Sequence, residues 1–233
     1  MSHRSVLVAG ASGGIGRAVV NAVESAGDHA FGVDRETIDV TQPGGAEDAV
    51  FAAREKFGRL DGIVHAVGMS GRGLGDGPVS TCTDEAWAEV HRVNYESVFR
   101  LLRAAIPALA AQGGGSVVVV GSALASTLDE DFLTAAYMSA KGALIPLMRH
   151  SAFVGAPHSV RVNVVAPGLV DTPMAERALA RTTILERMPH LHRLGSRPST
   201  PDEVADVVHW LLSNDSARIT GAVLPADGGW TLR

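Results

Sequence analysis

The chain has 233 residues, 46% hydrophobic and 19% charged, which suits one α/β domain over residues 1–233 and excludes a disordered tail or a coiled coil. Twenty basic residues against 25 acidic ones give a formal net charge of −5 with no basic block, which argues against nucleic acid as the main partner and favours a small molecule. No apolar run approaches the roughly eighteen residues of a membrane span, Val6–Ala9 is too short for a signal-peptide core, and the single cysteine, Cys82, cannot close an internal disulfide. A cytoplasmic chain with no metal site and no membrane association is therefore expected.

In chain order, Val6–Ala9 reads as a strand. The glycine-rich run Gly10-Ala-Ser-Gly-Gly-Ile-Gly16 follows, and then Ile15, Val19, Ala22, Val23 and Ala26 recur at helical spacing until Gly27 ends the helix. Ala30–Val33 is a second strand that stops at Asp34, and Thr37–Val40 reads as a third almost at once. Glu47–Phe57 is helical and leads to a fourth strand, Ile63–Val67. Asp84–Gln112 reads as one long helix capped by Thr83, with Asp84 and Glu85 in the first turn, where the helix dipole favours anions. Val117–Val120 has the continuous apolar character of a strand buried on both faces, and a helix over Thr134–Val154 precedes the strand Val162–Val165, stopped by Pro167-Gly168. Thr200-Pro-Asp-Glu203 is a capping box that opens the helix Val204–Leu212, and Val223-Leu224 supply a last strand. Strands alternating with helices make a doubly wound parallel sheet.

Gly10, Gly14 and Gly16 lie between a strand and a helix, where missing side chains let the backbone approach a pyrophosphate and the helix N-terminus stabilises its charge. Their spacing is G-x-x-x-G-x-G, and a tight turn that merely requires glycine is the competing reading. Asp34, at the end of the second strand, can accept hydrogen bonds from both ribose hydroxyls and would repel a 2′-phosphate, which favours NAD over its phosphorylated form. Gly13 supplies no basic group for such a phosphate, although Arg35 does follow Asp34.

Eighteen of the twenty basic residues are arginine; the two lysines are Lys56 and Lys141, and the two tyrosines Tyr95 and Tyr137. Two of these four rare residues, Tyr137 and Lys141, stand one helical turn apart, so the ammonium is expected to lower the phenol's pKa and prepare it as a general acid or base. Ser122, just after a buried strand, could hydrogen-bond a substrate oxygen. Asn94 interrupts the apolar stripe of Trp87, Val90, Val98 and Leu101, which fits either a water bridge to the site or a core amide satisfied by backbone.

With these residues in place, the sequence resembles the classical short-chain dehydrogenases/reductases along nearly its whole length. The resemblance rests on the Gly10–Gly16 loop, Asp39-Val40, Asn94, Ser122, Tyr137-Met-Ser-Ala-Lys141, Asn163-Val-Val-Ala-Pro-Gly168 with Thr172, and Ile219-Thr-Gly221 with Asp227-Gly-Gly229. It implies a Rossmann-like, seven-stranded parallel sheet and hydride transfer at C4 of a nicotinamide. It further implies Tyr137 as acid/base, Lys141 as the group that lowers its pKa and binds ribose, Ser122 as holder of the carbonyl or alcohol, and Asn94 in a water-linked proton relay. The cofactor contacts it implies are Gly10, Ser12, Gly14, Ile15, Gly16, Asp34, Asp39, Val40, Ala66, Gly68, Tyr137, Lys141, Pro167, Gly168, Val170 and Thr172. A homotetramer or homodimer built on the two long helices is implied as well, the second of which carries Leu144, Ile145, Leu147, Met148 and Phe153.

Departures from the family pattern mark particular places. Ala9 stands where the family has threonine, and His65-Ala-Val-Gly68 replaces Asn-Asn-Ala-Gly. Ser122 and Tyr137 are fifteen apart where thirteen is commoner, which predicts a longer loop over the substrate side. Asp34 and Asp39 are too close for the helix that usually joins the second and third strands. Met174–Arg197 occupies the place of a mobile substrate lid, and its Met174, Leu179, Ile184, Leu185, Met188 and Leu191 suggest a partly apolar substrate or simply helix core. His190 and His192 read as loop or surface histidines. The leading activity is an NAD-dependent alcohol or diol dehydrogenase. A carbonyl or 3-oxoacyl reductase, which in this family usually prefers NADPH, is opposed by Asp34, and a non-catalytic nucleotide sensor by the retention of both Tyr137 and Lys141.

Overall fold

The computed structural model describes residues 3–232. Its sheet comprises β1 (Ser5–Ala9), β2 (His29–Val33), β3 (Gly62–His65), β4 (Gly115–Val120), β5 (Val160–Pro167) and β6 (Val223–Ala226), all parallel, in the order β2-β1-β3-β4-β5-β6. The expected seventh strand, Thr37–Val40, does not form. A neighbour parallel to β2 needs a crossover of about a dozen residues, and the chain between Val33 and Thr37 is far too short for one. It folds instead into a turn in which the Thr37 amide donates to the Asp34 carbonyl at 3.1 Å and the Asp34 amide donates to Thr37 Oγ1 at 3.0 Å.

Alternation along β1 explains the layers. Leu7 and Ala9 pack in a core with α2 (Gly45–Phe57), α4 (Ser97–Ala110) and α5 (Ala135–Gly155), while Val6 and Val8 pack on the opposite face with α1 (Gly14–Ser25) and α8 (Pro201–Leu212). A third apolar cluster, Phe132, Leu169, Ile184, Met188, Leu191 and Trp230, seats α6 (Glu176–Leu179) and α7 (Thr182–Leu191) beside the sheet's carboxyl ends.

Local signals place the helix ends. Gly27, at φ 81°, follows α1; Thr83 accepts from the Ala86 amide at 3.1 Å to open α3 (Asp84–His91); and Thr200 and Glu203 form both halves of the capping box of α8. The long helix expected over Asp84–Gln112 is interrupted: α3 passes through one π turn, Arg92–Glu96, before α4 begins, and α4 ends at Ala110. The side chains of that turn compete with the regular ladder. Asn94 Nδ2 donates to the Val90 carbonyl at 3.0 Å and Ser97 Oγ to that of Val93 at 2.6 Å.

Candidate active site

The Gly10–Gly16 turn leaves no room for side chains at two points. Gly10 lies at φ 85°, with the Ala66 carbonyl carbon 2.8 Å from where a Cβ would stand, and a Cβ on Gly16 would meet the Gly10 oxygen at 2.0 Å. Gly14 opens α1 beside Thr172. The first turn of α1 has neither a capping side chain nor an acidic residue, so its amides remain free to receive an anion. Ser12 is exposed, and its carbonyl accepts from Arg17 at 3.2 Å.

A cavity of about 620 Å³ opens at the carboxyl ends of the strands. It brings together Ile15, Ala66 and Gly68 with Ser122, Tyr137 and Lys141, and with Pro167, Gly168, Val170 and Thr172, ten of the residues singled out from sequence. Lys141 is buried, and its Nζ donates to the Val120 carbonyl at 2.9 Å and lies 5.8 Å from the centre of the Tyr137 ring. Burial pushes the ammonium down to about 8. Tyr137 departs from expectation: enclosure raises its pKa, a hydrogen bond with Ser122 opposes the rise, and the phenol keeps its proton at neutrality. The lysine cannot reverse this while its charge is turned to the Val120 carbonyl and the ring rather than shared with the hydroxyl.

α5 presents Tyr137 and Lys141 because its N-terminus is held from a distance. Asp76, buried, accepts from the amides of Ala136 and Tyr137 at 3.0 Å each, supplying the cap that Thr134 does not provide. Asn94 lies behind the cavity. Its Nδ2 donates to the carbonyls of Met69 and Val90, and its Oδ1 accepts from the Met69 amide at 3.1 Å. Both amide hydrogens are spent, so the backbone-satisfied reading describes this side chain.

Asp34, Asp39 and Val40 stand outside the cavity, towards β2. Asp34 is half-buried and accepts from the Glu36 amide at 3.0 Å. Burial works to raise the Asp39 pKa, but hydrogen bonds from the Thr41 side chain and amide outweigh it and hold the carboxyl below its usual range. Val40 points into the core and can offer a ligand only main chain.

Several functional features escaped the sequence. Arg72, Arg177, Arg181, Phe132 and Trp230 line the cavity, yet nothing in their local sequence marks them. Asp76, between two glycines, resembled any loop aspartate. His65 is fully buried, with its Nε2 2.8 Å from Ser97 Oγ. Because Ser97 donates its own proton to Val93, the histidine proton is assigned to Nε2, and Nδ1 is left without a partner among the described residues. His190 is exposed, on α7, and His192 lies in the loop after that helix but is buried rather than on the surface: its Nε2 accepts from the Leu169 amide at 2.9 Å, bracing the segment after β5. In the segment expected to form a lid, Ile184, Met188 and Leu191 are core, Ile184 also lines the cavity, and Met174 is half-exposed and lines it as well. Among the described residues, no group of three or more His, Cys, Asp or Glu side chains is placed to hold a metal, and no helix is long and apolar enough to cross a membrane.

Comparison with known proteins gives a consistent picture. A family profile described as Enoyl-(Acyl carrier protein) reductase matches residues 6–231. The chain is 31% identical over 244 residues to the 3-oxoacyl-[acyl-carrier-protein] reductase FabG of Escherichia coli (strain K12), covering 96% of this chain and 95% of that protein. It is 36% identical over 182 residues to an uncharacterized NAD-dependent oxidoreductase of Mycobacterium tuberculosis, a match that takes in 75% of this chain but spans 64% of that relative's length. Among solved structures, a short-chain type dehydrogenase/reductase from Mycobacterium ulcerans superposes with a TM-score of 0.88 at 27% identity, covering 100% of this chain and 92% of the other.

Proposed function

The chain belongs to the short-chain dehydrogenase/reductase family, and from that premise we propose that it is an NAD-dependent oxidoreductase acting on a secondary alcohol, a ketone or a cis-diol. The observation that carries the reading is the meeting of Ser122, Tyr137 and Lys141 in one cavity with Pro167, Gly168 and Thr172. The glycine turn and the uncapped start of α1 fit a dinucleotide's pyrophosphate, and Asp34 fits an unphosphorylated ribose. When bound, the cofactor supplies a nicotinamide whose C4 accepts or donates a hydride.

Ser122 holds the substrate oxygen, and Tyr137 exchanges a proton with that same oxygen. Its raised pKa keeps the phenol protonated, which suits donation to a carbonyl in the reductive direction. In the oxidative direction the same group must first lose its proton, so activity should climb towards alkaline pH. Lys141 sets a positive charge beside the ring, and the family resemblance gives it the ribose hydroxyls to bind.

The test is a panel of small alcohols with NAD, and of the matching ketones with NADH, followed by nicotinamide absorbance and repeated with the phosphorylated cofactor. Turnover favouring NAD supports the reading; no turnover with either cofactor across the panel defeats it. The similarity to FabG favours a second reading, an NADPH-dependent 3-oxoacyl reductase, with exposed Arg35 as the residue available to a 2′-phosphate. Preference for the phosphorylated cofactor in the same panel would select it. A non-catalytic sensor is disfavoured by the placement of both Tyr137 and Lys141 in the cavity.

We also propose self-association into a homotetramer or homodimer, in a cytoplasmic setting. Phe153 is 82% exposed, and Trp87, Phe99 and Val154 are partly exposed on the same helical layer, although Leu144 and Met148 are already buried within the chain. A monomer mass by light scattering would contradict this.

A further inference from the structure

The cavity that holds Ser122 and Tyr137 is also lined by Arg72, Arg177 and Arg181. With Lys141 they set four cations against a single lining carboxylate, Asp131, in a chain whose formal net charge is −5. The three arginines come from separate segments: the loop after β3, helix α6, and the residue immediately before α7. Their fields overlap. Burial lowers the Arg72 pKa most, Arg177 and Arg181 add to the fall by repulsion, and Asp76 and Asp131 pull the other way.

The arrangement leaves Arg72 poorly matched within the chain. Its Nη2 donates to the main-chain carbonyl of Asp131 at 3.0 Å, but among the described residues no hydrogen bond from its Nε or Nη1 is found, and no carboxylate lies within ion-pair distance. The Asp131 carboxylate is engaged elsewhere, by Arg181 at 3.2 Å and by Arg187, which also pairs with Asp129 at 2.8 Å. These three pairs tie the long Ser122–Tyr137 loop to α7 and so fix the cationic group over the cavity. Arg177 forms no ion pair among the described residues. Arg181 thus has a counter-charge in Asp131, whereas Arg72 and Arg177 have no carboxylate partner among the described residues; like charges left so at a partly desolvated pocket are stabilised by an anion, and a planar guanidinium fork matches two oxygens of an oxyacid. Leu124, Phe132, Met174 and Ile184 supply apolar wall for the rest of such a ligand.

We propose that the pocket selects an alcohol or ketone that carries an anionic oxyacid group, a carboxylate or phosphonate, bound by Arg72 together with Arg177 and Arg181. The inference rests on the reading above in one respect: Ser122 and Tyr137 are taken to face the substrate's reacting oxygen. The cofactor's own phosphates are the competing occupant of these arginines.

Calorimetry tests the proposal without requiring turnover. β-Hydroxybutyrate and its methyl ester are titrated into the NAD-loaded protein, and levulinate against its methyl ester and acetonylphosphonate against its neutral dimethyl ester into the NADH-loaded protein. At least one acid should bind about tenfold tighter than its ester, with the gap shrinking at high salt. Arg72→Gln should remove most of that gap while the Kd for NAD moves by less than about twofold, and Arg177→Gln, at an exposed position, should narrow it without risk to folding. Acids and esters binding alike, or no member binding, overturns the proposal. So does a loss of NAD affinity in Arg72→Gln as large as the loss of acid affinity, which would assign the arginines to the cofactor phosphates. An acid that binds with the expected preference but is neither oxidised nor reduced supports the anion site and overturns the dehydrogenase reading. Esters turned over as well as acids do the reverse.

Discussion

Hydrogen bonds that hold the catalytic end of the site join distant parts of the chain: Asp76 to Ala136, 60 residues apart; Asn94 to Met69, 25 apart; Lys141 to Val120, 21 apart. At the β2 edge the carboxylates are bound locally, Asp34 to the Glu36 amide and Asp39 to Thr41, although the second turn is also tied to α4 and the π turn before it through Arg100 and Arg92 on the Thr41 carbonyl; among the described residues no strand covers that side. The first region is over-determined, so a change there disturbs several elements at once. The second is a pair of short turns, and in the first of them the Asp34 side chain can change with little consequence for the fold. On this comparison the chemistry should be brittle and the recognition of the adenosine half adjustable.

The largest expected break is at the catalytic end. Tyr137→Phe keeps the ring but removes the transferable proton, and kcat should fall by about 10²–10⁴, with the Kd for NAD preserved. Near-full turnover in that variant, measured across the pH range on a substrate from the panel, would sink the acid/base assignment and revive the sensor reading.

Acid pH should break the same region next. His65 is held neutral, its pKa pushed down to about 3 by burial first and by the charge of Lys141 second. The unfolded histidine takes up a proton below its ordinary value near 6.5, and the folded one does not. The stability this group contributes is therefore complete above that value and lost as the pH falls towards 3, by roughly 2 kcal/mol between pH 6.5 and pH 5. Urea midpoints at two pH values check this: His65→Asn should lose less stability on acidification than the wild type, and parallel losses would refute it.

The β2 edge should respond more mildly. An added 2′-phosphate would stand against the Asp34 carboxylate, so NAD(H) should bind at least about tenfold tighter than NADP(H), roughly 1.4 kcal/mol, with Asp34→Ala narrowing the gap. Equal dissociation constants in the wild type would defeat the claim. Because the Asp34 carboxylate is bound, among the described residues, within its own turn, the variant should unfold at nearly the wild-type midpoint.

What could be read from the sequence follows the same division between local and distant causes. The glycine turn, the Thr83 cap, the Thr200–Glu203 capping box and the buried runs of β4 and β5 are written in neighbouring residues. The Tyr137–Lys141 pair was legible because helical spacing is itself local. Asp76 was not, since its partners lie 60 residues on, and the arginine cluster was not, because three segments assemble it. The missing strand misled for a different reason: Thr37–Val40 has strand-like composition, and chain length rather than composition forbids the crossover. The raised Tyr137 pKa was likewise hidden, because spacing places the ammonium near the ring but says nothing about the Val120 carbonyl to which it is tied.

The smallest effect concerns what the catalytic end does to the fold itself. Lys141 carries its charge inside the protein, where burial moves it from 10.5 to about 8, a penalty of roughly 3 kcal/mol while the ammonium stays charged. Lys141→Met removes the penalty but leaves the Val120 carbonyl without its donor, which returns about 1–3 kcal/mol, so the net gain in stability near neutrality should be on the order of 1 kcal/mol. The sign has its own signature. Between 8 and 10.5 the unfolded chain holds a proton that the folded chain has released, so the wild type gains stability as the pH rises through that window and the variant does not. Denaturation midpoints at about pH 7 and about pH 9.5 should show the advantage of Lys141→Met shrinking with pH, while its turnover is lost at both. An advantage independent of pH would mean that repacking and not charge burial stabilises the variant, and a lysine whose removal lowers stability at pH 7 would show that its bond to Val120 outweighs the cost of burying it.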